Sequence, residues 1–372
     1  MKLTLERAAL LKTLGHVQSV VERRNTIPIL TNVLIEVADG RLSLTATDMD
    51  LTIVDAVAAD VAEPGVTTAP AHTLYDIVRK LPEGAQVEIA VGGDDSRITL
   101  SSGRSVFTLA TLPKEDFPTA GAADLPQAFT LQAGELKNLI DRTKFAISTE
   151  ETRYYLNGIY LHATAADGLD VLRAVATDGH RLARFQMPLP EGASGIPGVI
   201  VPHKTVVELR KLIDETDQPI QVALSETKIR FSFDATVLTS KLIDGTFPDY
   251  ERVIPAANDK ILEVHCQSFA DAVDRVSTIS TEKSRAVKMV VDDGNITLSA
   301  SSPDNGSATE EVEIDYGGPG IEIGFNSRYL LDIARQIEGD AAQFTMADAA
   351  SPTIVRDAAD SSALYVLMPM RV

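Results

Sequence analysis

The stretch Ser280-Thr281-Glu282-Lys283 sets a lysine three residues after a serine, the spacing by which some serine acyl-transfer enzymes place a base beside their nucleophile. The pattern is short, and the chain contains neither a Lys-Thr-Gly nor a Ser-Asp-Asn companion. Covalent capture of Ser280 by an activated acyl probe would separate a reactive pair from a chance match. Other chemistry is sparse. The 6 histidines form no His-Glu-x-x-His pattern, and the lone cysteine, Cys266, permits neither a Cys-x-x-Cys site nor a disulfide within one chain. The glycines from Gly317 are wrongly spaced for a dinucleotide fingerprint and are interrupted by Pro319, so they read as a turn ahead of a strand. These patterns predict a protein with no cofactor, no metal and no catalytic centre.

Two stretches need a different explanation. The run Ala-Thr-Asp-Gly-His-Arg-Leu-Ala, from Ala176 to Ala183, predicts a tight turn at Asp178-Gly179. Gly179 supplies a positive φ there, and His180, Arg181 and Leu182 open the next strand. As plain structure this is a turn followed by a solvated arginine. As a site, Thr177, Gly179, His180 and Leu182 wall a small pocket. The chain closes on Leu-Tyr-Val-Leu-Met-Pro-Met-Arg-Val, from Leu364 to Val372. Tyr365 to Leu367 read as a last core strand. Pro369 cannot donate to a ladder, so the strand ends near it. An apolar tail beyond a strand end must cover something or await a partner.

These stretches sit in a repeating frame. Segments from Leu3, Phe129 and Leu262 each open with a short alternating strand and continue with a helical period. In the first, Leu10, Leu11, Leu14, Val17 and Val21 share one face. An Asp-Gly hairpin follows each opening, the strongest short-range hairpin signal. An aspartate comes after a Thr or Pro in each copy, at Asp48, Asp178 and Asp304. Each copy then runs strand, helix, strands. In the middle helix Val206, Val207, Leu209, Leu212 and Ile213 face inward, with Lys204, Glu208, Lys211 and Glu215 outward. The repeat spans about 120–130 residues, close to the commonest domain size. The pattern predicts an α+β chain of three homologous domains, residues 1–126, 127–259 and 260–372, each built from two helix-plus-sheet halves. Pro-rich linkers over residues 112–127 and 244–259 join them.

Hydrophobic residues make up 44% of the chain, with no Trp and only 5% aromatics, so the cores must rest on Val, Ile, Leu and Ala. The formal net charge of −19 opposes binding to free nucleic acid, because phosphates are repelled at long range. A single cysteine and an N-terminus whose apolar residues are broken by charges predict a cytoplasmic protein. No stretch has the length and hydrophobicity of a membrane span.

The threefold repeat, Tyr154-Tyr155-Leu156-Asn157-Gly158, the Asp178-Gly179-His180 turn, the Phe247-Pro248-Asp249-Tyr250 segment and the terminal Met368-Pro369-Met370 together resemble the bacterial DNA polymerase III beta subunit, the replicative sliding clamp. The resemblance covers all three copies. It implies a non-catalytic processivity factor: a head-to-tail homodimer whose six domains close a ring around duplex DNA, with helices lining the hole. A domain of this size is about 35 Å across, so six leave a hole of about 35 Å, wide enough for a duplex. Such a ring holds DNA by topology, which removes the charge objection. The segments 134–149 and 203–215 are close to neutral, as a hole-lining helix requires, although solvated mixed-charge faces look the same.

The resemblance also implies residue roles. Arg24, Tyr154, Tyr155, His203 and Lys204 match DNA-contacting positions, His203 standing where an arginine is usual. Phe107, Leu109, Thr278 and Ile279 match the dimer contact. Partners (the polymerase III catalytic subunit, the clamp loader, other polymerases and repair proteins) insert short peptides, Gln-rich at the start with Leu and Phe near the end. These enter a cleft between the second and third domains. Its implied wall is Leu156, Thr177, Gly179, His180, Arg181, Leu182, Pro248, Val253, Val366, Met368, Pro369, Met370 and Arg371, with Arg153 flanking a second subsite. No membrane partner is implied. An acyl-transfer enzyme using Ser280 and Lys283, and a clamp that has diverged into an accessory copy, remain as alternatives.

Overall fold

Alternating apolar and polar residues run through most of the chain. The computed structural model, which describes residues 1–93, 96–118, 121, 124–280 and 285–372, has 25 strands and 6 α-helices among them. The Asp-Gly hairpins form where the sequence predicts them. Asp39 and Gly40 have φ of 51° and 70°, and Asp167 and Gly168 have 52° and 79°. Positive φ at both central residues suits the right-handed twist of the flanking strands. In the third hairpin only Gly294 is positive, at 83°, so Asp292 and Asn295 are joined by another kind of turn.

The helices are α1 (Arg7–Gln18), α2 (Ala71–Lys80), α3 (Ala133–Asp141), α4 (His203–Ile213), α5 (Cys266–Ser277) and α6 (Ser327–Ala334). In α1, Leu10, Leu14 and Val17 are buried as the period requires, while Leu11 is only partly covered. In α4, Val206, Leu209, Leu212 and Ile213 are buried. One expectation fails: Glu208, placed on the outer face by its period, is 6% exposed. Its carboxylate accepts hydrogen bonds from Ser19 at 2.5 Å and Lys211 at 2.8 Å, so a polar partner from the first repeat makes burial tolerable.

The chain divides into two compact units, and the cut passes through the middle repeat. The first unit holds Met1–Glu135, Pro190–Ala193 and Lys204–Leu242. It contains a five-stranded sheet, in the order Asp60–Glu63, Lys2–Glu6, Gln86–Val91, Arg97–Ser102, Ser105–Ala110. An eight-stranded sheet runs from Gln127–Leu131 through Ile220–Leu224, Lys228–Phe233 and Thr236–Lys241 to Leu51–Ala58, Arg41–Thr47, Asn32–Ala38 and Gly65–Pro70. The repeats meet in the middle of this sheet, where Thr236 pairs with Asp55 and Ser240 with Leu51. His16 clasps the seam: its Nδ1 lies 2.6 Å from Asp55 and its Nε2 lies 3.2 Å from Glu215 of the second repeat. Burial works to lower the His16 pKa, but the two carboxylates outweigh it and raise it.

The second unit holds Leu136–Leu189, Ser194–His203 and Ile243–Val372. Its eight-stranded sheet runs Val199–Pro202, Gly158–Ala166, Leu169–Thr177, Arg181–Pro188, Ala363–Leu367, Thr353–Asp357, Ala341–Met346, Lys260–His265. Its seam joins repeats two and three, with Arg181 opposite Leu367 and Phe185 opposite Ala363. Arg142, which the repeat places where His16 stands, pairs with Glu338 at 2.6 Å. A four-stranded sheet (Gly306–Glu313, Asn295–Ser302, Ala286–Asp292, Ile321–Asn326) packs against α5. Ser105–Ala110 ends the five-stranded sheet opposite Asp60–Glu63, and Gly306–Glu313 ends the four-stranded sheet opposite Ile321–Asn326, whose Gly324 forms a bridge with Met370.

Candidate functional site

The last strand ends at Leu367, two residues before Pro369, as the missing donor requires. The tail beyond it is pinned. Met368 N donates to His180 O at 2.9 Å, and Met370 N donates to Gly324 O at 2.7 Å. Gly324 sits inside the strand Ile321–Asn326, and a Cβ there would meet Met370 O at 2.7 Å and collide with the Val372 side chain. The tail thus crosses a strand at its one glycine. A lone glycine in an alternating strand is the sequence mark of such a close backbone approach.

The turn that receives Met368 is built from its own side chains. Asp178 Oδ1 accepts from His180 N at 2.9 Å and Arg181 N at 3.0 Å, and Thr177 Oγ1 donates to Arg181 O at 2.7 Å. Gly179 has φ of 87°. The first repeat makes the same turn, with Asp48 Oδ1 accepting from Asp50 N and Leu51 N. There Met49 holds the left-handed position at φ 81°, a strained place for a side chain. Arg153 Nη2 donates to Asp178 O at 2.9 Å, and a Cβ on Gly179 would collide with that guanidinium. Arg153 Nε also donates to Glu150 at 2.8 Å, a pairing that lowers the Glu150 pKa and raises that of Arg153.

Arg181 is not solvated. It is 8% exposed, and its guanidinium donates to Asp178 at 3.1 Å, Asp332 at 2.7 Å and Phe145 O at 2.6 Å. It also lies 4.3 Å from the centroid of the Tyr329 ring. The arginine braces the turn from beneath, fully supplied with acceptors. Leu156, Leu182 and Val366 share one buried cluster with Val175, Ile200, Phe247, Tyr250, Ile354 and Leu364, six residues that sequence reasoning did not single out. Phe247 and Tyr250 anchor the segment that carries Pro248 and Val253, both exposed, Val253 at 48%. Met368 is 40% exposed, Pro369 and Met370 are partly covered, and Arg371 is exposed. Buried aliphatics under an exposed apolar rim suit a ligand with apolar anchors.

The DNA-contact candidates are distributed over both units. In the first, Arg24 is exposed, while the Lys204 ammonium is held by Asp48 at 2.5 Å and Val20 O at 3.2 Å. Burial works against ionisation of Asp48, yet Lys204 and two backbone amides lower its pKa. In the second unit Tyr154 and His203 are exposed and Tyr155 is partly covered, the two tyrosine rings meeting edge-on at 5.8 Å. Among the dimer candidates, Phe107 and Leu109 are partly covered and alternate with exposed residues along the edge strand Ser105–Ala110, where Val106, just before Phe107, is 65% exposed. Thr278 caps α5, and Ile279 beyond it is partly covered. Ser280 Oγ donates to Ala286 O at 2.9 Å; Lys283, the other half of the acyl-transfer pair, lies outside the described residues. Among the described residues no cluster of His, Cys, Asp or Glu is arranged to hold a metal ion, and no helix is long and apolar enough to cross a membrane.

Comparison with known proteins covers the whole chain. Three family models match: the N-terminal domain of the DNA polymerase III beta subunit at residues 1–121, its central domain at 130–249 and its C-terminal domain at 251–371. The chain is 58% identical to the beta sliding clamp of Caulobacter vibrioides over 372 residues, 100% of both chains. The crystal structure of the Caulobacter crescentus beta sliding clamp with PEG bound superposes with a TM-score of 0.98 at 57% identity, covering 100% of this chain and 99% of that one. A sliding clamp from Bartonella birtlesii, bound to griselimycin, gives 0.97 at 51% identity with both chains fully covered.

Proposed function

We propose that this chain, which belongs to the DNA polymerase III beta-subunit family, closes with a second copy into a ring around duplex DNA and offers client proteins the cleft beside its C-terminal tail. Its function is that of a sliding clamp, a processivity factor with no catalytic step of its own. On this reading the domains are 1–126, 127–259 and 260–372, and the protein works on DNA in the bacterial cytoplasm.

The observation that carries ring closure is a pair of sheet edges. Each repeat junction inside the chain is closed by antiparallel strand pairing, and Ser105–Ala110 and Gly306–Glu313 are edge strands of the two smaller sheets, each paired on one side only among the described residues. Open edges of this length are normally covered. Pairing one copy's first edge with the other copy's second edge repeats the internal seam, twice, and closes by rotation. Charge favours that choice. Arg97 and Arg104 flank the first edge, and Glu310, Glu311 and Glu313 lie on the second. Phe107 and Leu109 then bury against Thr278 and Ile279 of the second copy.

Arg24, Tyr154 and His203 are free to meet the DNA backbone, with Tyr155 supporting Tyr154. Lys204 reaches phosphate only by leaving Asp48, so its first role is to hold the Asp48 turn. In the cleft, Leu156, Leu182 and Val366 form the floor. Thr177, Gly179, His180, Pro248, Val253, Met368, Pro369, Met370 and Arg371 form the rim, with Arg153 beside it and Arg181 bracing it. Methionine adapts to differently shaped anchors. Each buried anchor contributes about 1.5–3 kcal/mol before ordering costs, which suits exchange among clients.

Loading on nicked circular duplex tests the ring. The protein should stay on the closed circle through gel filtration and leave once the circle is linearised; retention after linearisation would overturn the reading.

A further inference from the structure

Beyond the apolar floor of the cleft, the same sheet face turns cationic. Register places Arg184 opposite Val175 on one side and Leu364 on the other, and Arg173 opposite Gln186. Side chains alternate along a strand. Arg173 and Arg184 therefore share the face of Val175, Leu182, Leu364 and Val366, all members of the floor cluster. Arg356 lies two residues beyond Ile354, another member, and points the same way. Rows of side chains on one face are about 7 Å apart, so the guanidinia stand one or two rows from the floor.

Their partners are unequal. Arg173 is 5% exposed and well supplied: Nη1 donates to Glu251 at 2.6 Å and Tyr250 at 3.0 Å, and Nε donates to Gln186 at 2.9 Å. Arg184 and Arg356 have no hydrogen bond or ion pair among the described residues, and the Nε of each is buried without an acceptor. The charged and titratable groups around Arg184 are Arg173, Tyr250, Glu251 and Arg356, and Glu251 already serves Arg173. Burial first, then the neighbouring Arg173, pushes the Arg184 pKa down. A partly buried cation without its own anion is costly. A planar guanidinium is also the group best shaped to take a carboxylate through two parallel hydrogen bonds.

We infer that Arg184 and Arg356 form a carboxylate subsite of the cleft, which takes an aspartate or glutamate side chain of a client peptide next to the apolar anchor seated on the floor. This rests on the cleft reading of the proposed function. The occupant follows from charge complementarity: two cations without a partner among the described residues border an apolar floor, and the one carboxylate beside Arg184, Glu251, already serves Arg173.

The test uses acetylated, C-amidated peptides that begin with Gln and end with Leu-Phe. One set carries a single Glu at successive positions, and a matched set carries Gln instead. At one position the Glu peptide should bind about 10-fold tighter than its Gln partner, as a charge-assisted hydrogen-bond pair provides. Arg184→Leu should erase that preference while leaving Gln-peptide affinity unchanged and the melting temperature no lower, and Arg356→Leu should reduce it. Equal binding of Glu and Gln peptides at every position, or equal loss of both in Arg184→Leu, would overturn the subsite. So would a free C-terminal carboxylate on the Gln peptides giving the same gain. If no peptide binds, the cleft reading itself has failed. Titration with glutarate then decides the subsite alone: shifts of the Arg184 and Arg356 Nε–H resonances support it, and unmoved resonances exclude it.

Discussion

Arg181 and His16 are single residues that hold distant parts of the chain together. The Arg181 guanidinium reaches Asp332, 151 residues away in sequence, and at the same time closes the Asp178 turn. Arg181→Ala would leave Asp178 and Asp332 partly buried without their shared cation. Breaking such a pair costs about 3–5 kcal/mol, which a shift of the denaturant midpoint would register. His16 places both ring nitrogens against carboxylates, so both must carry protons for both contacts to hold. A raised pKa means that this stabilisation is complete below the ordinary histidine value and is lost as pH climbs through the raised one. His16→Gln should therefore cost about 1.5–3 kcal/mol at pH 6. The gap to the parent should narrow steadily into the alkaline range, as parallel denaturant titrations would show; a gap that is independent of pH would contradict the clasp.

At the scale of the element, the tail depends on a glycine in a strand it does not belong to. Gly324→Ala places a methyl group against Met370 O and Val372, while the strand around it keeps its ladder to Ala286–Asp292. Peptide affinity should fall about 10-fold, equivalent to about 1.4 kcal/mol, with the dimer intact by sedimentation. Deleting Met368–Val372 should abolish peptide binding altogether, again without loss of the dimer. Normal binding by the truncated chain would exclude the tail from the cleft. The elements themselves were largely legible: hairpins at Asp39-Gly40 and Asp167-Gly168, a helix after each opening strand, and a last strand halted before Pro369. These follow from turn chemistry and period, which act within a few residues. Glu208 was misread because the helical period reports which face is apolar, not whether a serine from another repeat waits to satisfy a carboxylate.

For the whole molecule, the proposed pairing of sheet edges makes a prediction about assembly. Phe107→Asp sets a charge among the apolar residues of the first edge, next to Leu109, and should convert the dimer to single chains at micromolar concentration by sedimentation. An unchanged dimer would place the contact elsewhere. The sequence by itself determined the threefold repeat, the α+β class, the family resemblance and the residues of the Asp178 turn, because each is written in local spacing. Only the tertiary structure decided that the middle repeat is shared between two compact units and that Arg181 is buried. Only there does Gly324 make room for the tail, and only there do Arg184 and Arg356 stand beside the floor without a partner among the described residues. The physical reason is one and the same: strand edges look alike in sequence, and which edge meets which is settled by backbone pairing between residues more than 150 positions apart.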